Sequence, residues 1–162
     1  MHRPAEDFST PAFIATMTDM FAQLKVLFGT DGEVFAYIAN GHGAWEASIV
    51  NLLSPGDHVL MPATGRFSLV WRDMIKAFGI TYQEIDNDWR SAIDPQQVED
   101  ALRQDAGHKI KAVLIVHVET ATGAVTDLKA IRRAMDAAGH PALLIVDAIA
   151  SFGCHELKTD AM

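Results

Sequence analysis

Cysteine is almost absent from this chain: Cys154 is the only one in 162 residues. An internal disulfide is therefore impossible and a cysteine-based zinc site is excluded, and a reducing, cytoplasmic setting is the expectation. Long apolar runs are missing as well. A run such as 112–116 has the length of a buried strand and falls far short of a membrane span. Positive charge is scarce: Lys and Arg number 13 against 21 Asp and Glu, a formal net charge of −8. Nucleic acids and anionic membranes are held by clustered cations, so neither is an expected partner, although a local pocket for a single phosphate is compatible with the balance. The opening residues carry Glu6 and Asp7 where a secretory signal would be apolar. Repeats and linker-like segments are also lacking, while an apolar share of 49% is that of an ordinary globular protein.

What is present is an alternation of short apolar runs with amphipathic stretches. Residues 9–28 read as a helix: Ser9 or Thr10 caps it, Pro11 suits its first turn, and Phe13, Ile14, Met17, Met20, Phe21, Leu24 and Leu27 recur at helical spacing. Gly29 stops it and residues 30–32 turn. Further helices are expected at 44–53, 67–78, 95–104 and 126–138, with strands at 33–39, 58–61, 80–85, Ile110–Val116 and 142–146. Strands alternating with helices predict an α/β fold, a three-layer, mostly parallel sheet with helices on both faces. The runs at 112–116 and 143–146 are apolar throughout, as strands covered on both sides should be. Ligands of such sheets lie beyond the carboxyl ends of the strands, so the residues following each strand carry the functional question.

After the first expected strand stands Asn40-Gly41-His42-Gly43, leading into a helix. Glycines allow close backbone approach, and a helix start offers unpaired N–H groups and a positive dipole end, which together make a phosphate cradle. A dinucleotide fingerprint would place its third glycine at Glu46, whose charge opposes a second phosphate. A tight strand-to-helix turn without any ligand is the plain alternative. His117, Glu119, Thr120 and Thr122 crowd the end of the Ile110–Val116 strand. The His-x-Glu there resembles part of a zinc deaminase site, but the required Pro-Cys-x-x-Cys is absent. Asp147 follows four apolar residues, where a carboxylate is costly unless a cation or donor pairs with it; the plain alternative is a turn cap. Phe67 after Gly65-Arg66 is an aromatic that could stack on a flat ring or simply fill the core, and Arg66 is an anion contact or a surface group. Trp45, Trp71 and Trp89 show no spacing that implies a ligand, and Trp71 reads as helix packing.

Read together, these segments resemble the class V group of fold-type-I pyridoxal-phosphate-dependent aminotransferases, nearest to its serine–glyoxylate and alanine–glyoxylate branches. The resemblance is carried by the motifs at 40–47, 51–57, 117–123 and 144–151, by the run 131–147, and by the opening stretch 2–8, all in the family's order across essentially the whole chain. It implies that Asn40, Gly41 and His42 bind the cofactor phosphate through backbone N–H groups. Phe67 matches the aromatic stacked on the pyridine ring, where many relatives carry Trp. Thr120 matches the hydroxyl residue at the ring's phenolic oxygen, Asp147 the carboxylate that pairs with the pyridinium nitrogen, and Ile149 the apolar residue on the other ring face. Pyridoxal 5′-phosphate is thus the implied cofactor, no metal is implied, and small amino and 2-oxo acids are the implied substrates of a homodimer.

In the family a Schiff-base lysine follows the next strand in a Ser-Gln-Lys-like motif. The chain ends at Met162 before such a motif, and Lys158 falls short of it. Residues 1–162 are therefore expected to be a partial cofactor-binding large domain, without the N-terminal arm, later strands and C-terminal small domain. The expectation is an inactive piece of a parent enzyme that transfers the amino group of serine or alanine to glyoxylate. Two alternatives stay open: another class V chemistry such as cysteine desulfuration, and a noncatalytic nucleotide-binding α/β module built on 40–43.

Overall fold

A computed structural model of the chain describes residues 4–162, so that His2 and Arg3 of the opening motif lie outside the described residues. Two compact units are present: residues up to Ala36 together with Phe152–Met162, and Tyr37–Ser151.

The first unit is built on α1 (Pro11–Phe28). Thr10 is its cap, its hydroxyl accepting the Phe13 N–H at 3.3 Å, and Gly29 closes it in the left-handed region at φ 59°. The apolar stripe read from the sequence is present, yet no residue of α1 is fully buried. The C-terminal residues fasten onto the helix end: Thr159 Oγ1 donates to the Phe28 carbonyl at 2.7 Å, and Asp160 accepts from the Thr30 hydroxyl and from the Asp31 N–H.

The second unit carries β1 (His58–Pro62), β2 (Thr81–Ile85), β3 (Ile110–Val116) and β4 (Leu143–Asp147), joined in one sheet of order β2-β1-β3-β4 with every pairing parallel. Four helices accompany it: α2 (Gly41–Leu52), α3 (Arg66–Ala77), α4 (Pro95–Gln104) and α5 (Leu128–Ala138). Side chains alternate across a strand. Val59, Met61, Ala112, Leu114 and Val116 form one face and close a core with Trp45 and Ile49 of α2, Leu53 just after it, and Trp71 and Ile75 of α3. Leu60, Val113 and Ile115 point the other way and are buried too, while α4 and α5 bury Val98, Leu102, Ile131 and Met135 and pack against each other. Helices therefore cover both faces, as the alternation predicts. The cap expected of Asp94 before α4 is present, accepting from the Gln96 N–H, while α5 starts two residues later than 126 because Asp127 caps it, accepting from the Ala130 N–H.

Three expectations need correction. Residues 33–39 form no strand. Their unbroken apolar run, 34–39, suits a buried strand, but a strand exists only as a pair that satisfies its backbone groups, and among the described residues none lies alongside; Phe35 and Ile38 are instead exposed. The run 143–146 is apolar but not doubly covered. β4 pairs only with β3, Leu143 is exposed, and Leu144, Ile145 and Val146 are half-buried. Finally, α2 starts at Gly41 rather than at 44, because Asn40 caps it and accepts from the His42 N–H at 3.2 Å.

Candidate functional site

The carboxyl ends of β1, β3 and β4 emerge side by side at one edge of the sheet. Asp147 is the last residue of β4, opposite Val116 of β3, and the ladder runs one step further, from the His117 N–H to the Asp147 carbonyl at 2.9 Å. Its side chain is buried, the residue being 8% exposed. Each carboxylate oxygen has one donor: the Trp45 indole N–H reaches Oδ2 at 3.1 Å and the Ile149 N–H reaches Oδ1 at 2.9 Å. No Lys or Arg forms an ion pair with it among the described residues. Burial pushes the Asp147 carboxyl above the ordinary carboxylate range. The Ile149 and Trp45 N–H groups pull it back, Glu119's negative charge pushes it up, and His42 pulls it down.

The glycine turn opens α2 on the same edge. Asn40 and His42 are exposed and Gly41 is half-buried. A Cβ placed on Gly41 would lie 3.7 Å from Ile149 Cδ1, which puts the helix start and the segment after β4 within van der Waals reach of each other. The start of α2 and its positive dipole end therefore lie beside Ile149, which is 68% exposed, with the His42 N–H held by the Asn40 cap.

Behind β1 the chain passes buried Thr64 and Gly65 into α3, whose second residue is Phe67, half-buried against the core. What fixes this helix start is Glu119, a fully buried carboxylate from the segment after β3. Oε2 accepts the N–H groups of Phe67 at 3.0 Å and Ser68 at 3.2 Å, and Oε1 accepts the Ala121 N–H at 3.2 Å. A carboxylate at a helix N-terminus answers both orphan donors and dipole. Gly65 is required for its approach: a Cβ there would stand 2.4 Å from Glu119 Cγ. Thr120 is exposed beside this anchor, and Thr122 Oγ1 reaches the Thr64 carbonyl at 3.5 Å.

All seven residues singled out from the sequence, Asn40, Gly41, His42, Phe67, Thr120, Asp147 and Ile149, thus stand on the carboxyl edge. Ile149 and Asp147 are joined by a hydrogen bond, and Gly41 lies close to the Ile149 side chain. Phe67 and Thr120 are joined through Glu119. Two residues of the site escaped the sequence reading. Glu119 figured only in the abandoned zinc motif; among the described residues no group of three His, Cys, Asp or Glu is placed to hold a metal. Trp45 was set aside, although it lies four residues after Gly41, one turn along the same helix. Trp71 is core, as read. Arg66 is exposed, and Lys158 pairs with Glu156 at 3.1 Å.

Residues 6–162 match the family described as Aminotransferase class-V. The chain belongs to this family. Among its class-V relatives, a serine–glyoxylate aminotransferase of Methylorubrum extorquens is 41% identical over 96% of this chain and 39% of its own length. An L-aspartate–glyoxylate aminotransferase of Paracoccus denitrificans is 40% identical over 97% of this chain and 40% of its own. In structure, a subgroup IV aspartate aminotransferase of Thermus thermophilus superimposes with a TM-score of 0.88 at 29% identity, covering 98% of this chain and 44% of that one. The chain therefore spans about 39% of the length of the serine–glyoxylate relative.

Proposed function

We propose that this chain is the cofactor-binding part of a pyridoxal-phosphate-dependent aminotransferase that passes the amino group of a small amino acid, serine or alanine, to glyoxylate. The observation that carries the reading is Asp147: a buried carboxylate with a donor on each oxygen and, among the described residues, no Lys or Arg paired with it. Burying a carboxylate without a cation is costly. A protonated pyridine nitrogen is a flat cation of suitable size, and the exposed helix start beside Ile149 offers N–H groups for a phosphate. The residues present therefore fit the group. Glyoxylate as acceptor is supported by the two relatives, a serine–glyoxylate and an L-aspartate–glyoxylate aminotransferase, which differ in the amino donor.

When bound, pyridoxal phosphate supplies a cationic ring that accepts the electron pair released at the substrate's α-carbon. Asp147 holds the proton on the ring nitrogen by charge pairing. The N–H groups at Asn40, Gly41 and His42 bind the phosphate. Phe67 and Ile149 hold the ring plane from its two faces, and Thr120 donates to the ring hydroxyl oxygen. Residues 1–162 by themselves bind the cofactor without turnover on this reading, because none of these groups is the amine that carries protons at the α-carbon. By the same reading the whole protein is a cytoplasmic homodimer.

The test is equilibrium binding of pyridoxamine 5′-phosphate, which lacks the aldehyde and so cannot label surface lysines. The chain binds it, Asp147→Ala weakens binding at least about tenfold as expected for a lost charge pair, and no glyoxylate is consumed with serine present. Undiminished binding by Asp147→Ala sinks the proposal.

A further inference from the structure

We propose, resting on the reading above, that Trp45 is a positioning residue: its indole N–H orients the Asp147 carboxylate and leaves it open, on its remaining lone pairs, to a cationic ring. Three observations converge on this. The indole N–H meets Asp147 Oδ2 at 3.1 Å, and both residues are buried, at 7% and 8% exposure. The indole itself has no room to turn. It stacks on Trp71 with centroids 5.3 Å apart and planes within 6°, and the His42 ring meets it edge-on with centroids 4.8 Å apart. Trp71 is in turn 1% exposed. The N–H vector is thus fixed by two neighbouring rings and not by the hydrogen bond alone. Lastly, Trp45 sits one turn after Gly41 in α2, so one rigid helix carries both the glycine turn and the donor that holds Asp147. The spacing between the phosphate end and the carboxylate end of the site is set by that helix together with the Gly41–Ile149 contact.

The second donor on Asp147 is the backbone N–H of Ile149, which belongs to the same turn and cannot aim the side chain independently. The charged and titratable groups facing the carboxylate are Glu119, which disfavours its ionised form, and His42, which favours it. Against burial, the Trp45 N–H is one of two hydrogen bonds that favour the ionised form. Its removal therefore raises the titration midpoint of Asp147, a result that a space-filling role for the indole does not produce.

The experiment uses the full chain with ¹³C-labelled aspartate and follows the Asp147 carboxyl signal, assigned by Asp147→Asn, as pH is varied. Two variants are compared: Trp45→Phe, which keeps a ring on Trp71, and 3-benzothienylalanine at position 45, which keeps the indole shape and lacks only the N–H. The expected result is an upward movement of the Asp147 midpoint in both, with pyridoxamine 5′-phosphate affinity reduced about three- to tenfold. The isostere preserves the test if Trp45→Phe fails to fold. An unmoved midpoint in the isostere overturns the proposal whether or not the cofactor binds. A wild-type chain that ignores pyridoxamine 5′-phosphate while the midpoint still moves defeats the aminotransferase reading and leaves the Trp45–Asp147 coupling standing.

Discussion

Replacing Glu119 exposes the largest single dependence in the site. Its carboxylate is fully buried and is the partner of three backbone N–H groups, at Phe67, Ser68 and Ala121. Glu119→Ala strands them. Ala121 lies in an exposed segment and recovers a bond from water, but Ser68 is 1% exposed and Phe67 is half-buried. Two stranded buried donors at about 1–3 kcal/mol each give a loss of about 2–6 kcal/mol, a large part of a typical domain's stability. Glu119→Gln keeps one acceptor oxygen for the α3 pair and turns its amide group toward Ala121, so its loss is smaller, about 1–3 kcal/mol. The assay is urea unfolding followed by circular dichroism, read as a midpoint change at constant slope. The milder variant keeps the comparison alive if the alanine variant does not fold. A Glu119→Ala protein within about 0.5 kcal/mol of wild type, the range of an inconsequential surface change, refutes the account of Glu119 as the anchor of α3.

Three further outcomes are expected. Gly65→Ala drives a methyl group into Glu119, so it is costly in wild type and much cheaper in a Glu119→Ala background; a double-mutant cycle by urea unfolding measures the coupling, and additive losses contradict it. Burial raises the Asp147 carboxyl above its ordinary range, so its contribution to stability is present at acid pH and is lost as pH climbs through the raised value. The stability of wild type relative to Asp147→Asn accordingly declines from acid to neutral pH, and a gap that widens over that interval argues against it. Asp105 behaves in the opposite sense. Burial pushes its carboxyl up, but the N–H groups of Ile110 and Lys109 and the His140 ring outweigh this and hold it below the ordinary range. Its contribution is therefore present above that range and lost as pH falls, and Asp105→Asn costs about 1–2 kcal/mol at neutral pH and progressively less in acid, measured by thermal melts.

Much of this architecture was legible because it is governed by local rules. The cap at Asp94, the stop at Gly29 and the buried run Ile110–Val116 depend on a few neighbouring residues, and all three stand where the sequence puts them. The failures share a different cause. Residues 33–39 have the apolar content of a strand, but pairing is settled by what lies alongside, which composition does not encode. Glu119 and Trp45 were passed over for a similar reason. Each acts through a partner far along the chain, Phe67 and Asp147 respectively, and nothing within a few residues of either one announces it. Thr120 and Asp147, by contrast, were found by position at a strand's end, a rule of sheet topology rather than of local chemistry, whereas Asn40–Gly43 was found by its glycines and cap, since the strand expected before it is absent.

The all-parallel sheet has a kinetic corollary. A parallel ladder admits no tight hairpin, so each strand meets its neighbour only after a helix has been threaded between them, and His58 must find Ile110 across more than the whole of β2 and α4. Loop-closure entropy is spent before any ladder forms, which places such a chain among slow folders rather than microsecond ones. β1 and β3 each pair on both sides, β1 with β2 and β3, β3 with β1 and β4, so this central pair is where a transition state would have to gather. Shortening the excursion between β1 and β3 should therefore accelerate refolding more than any change confined to α1.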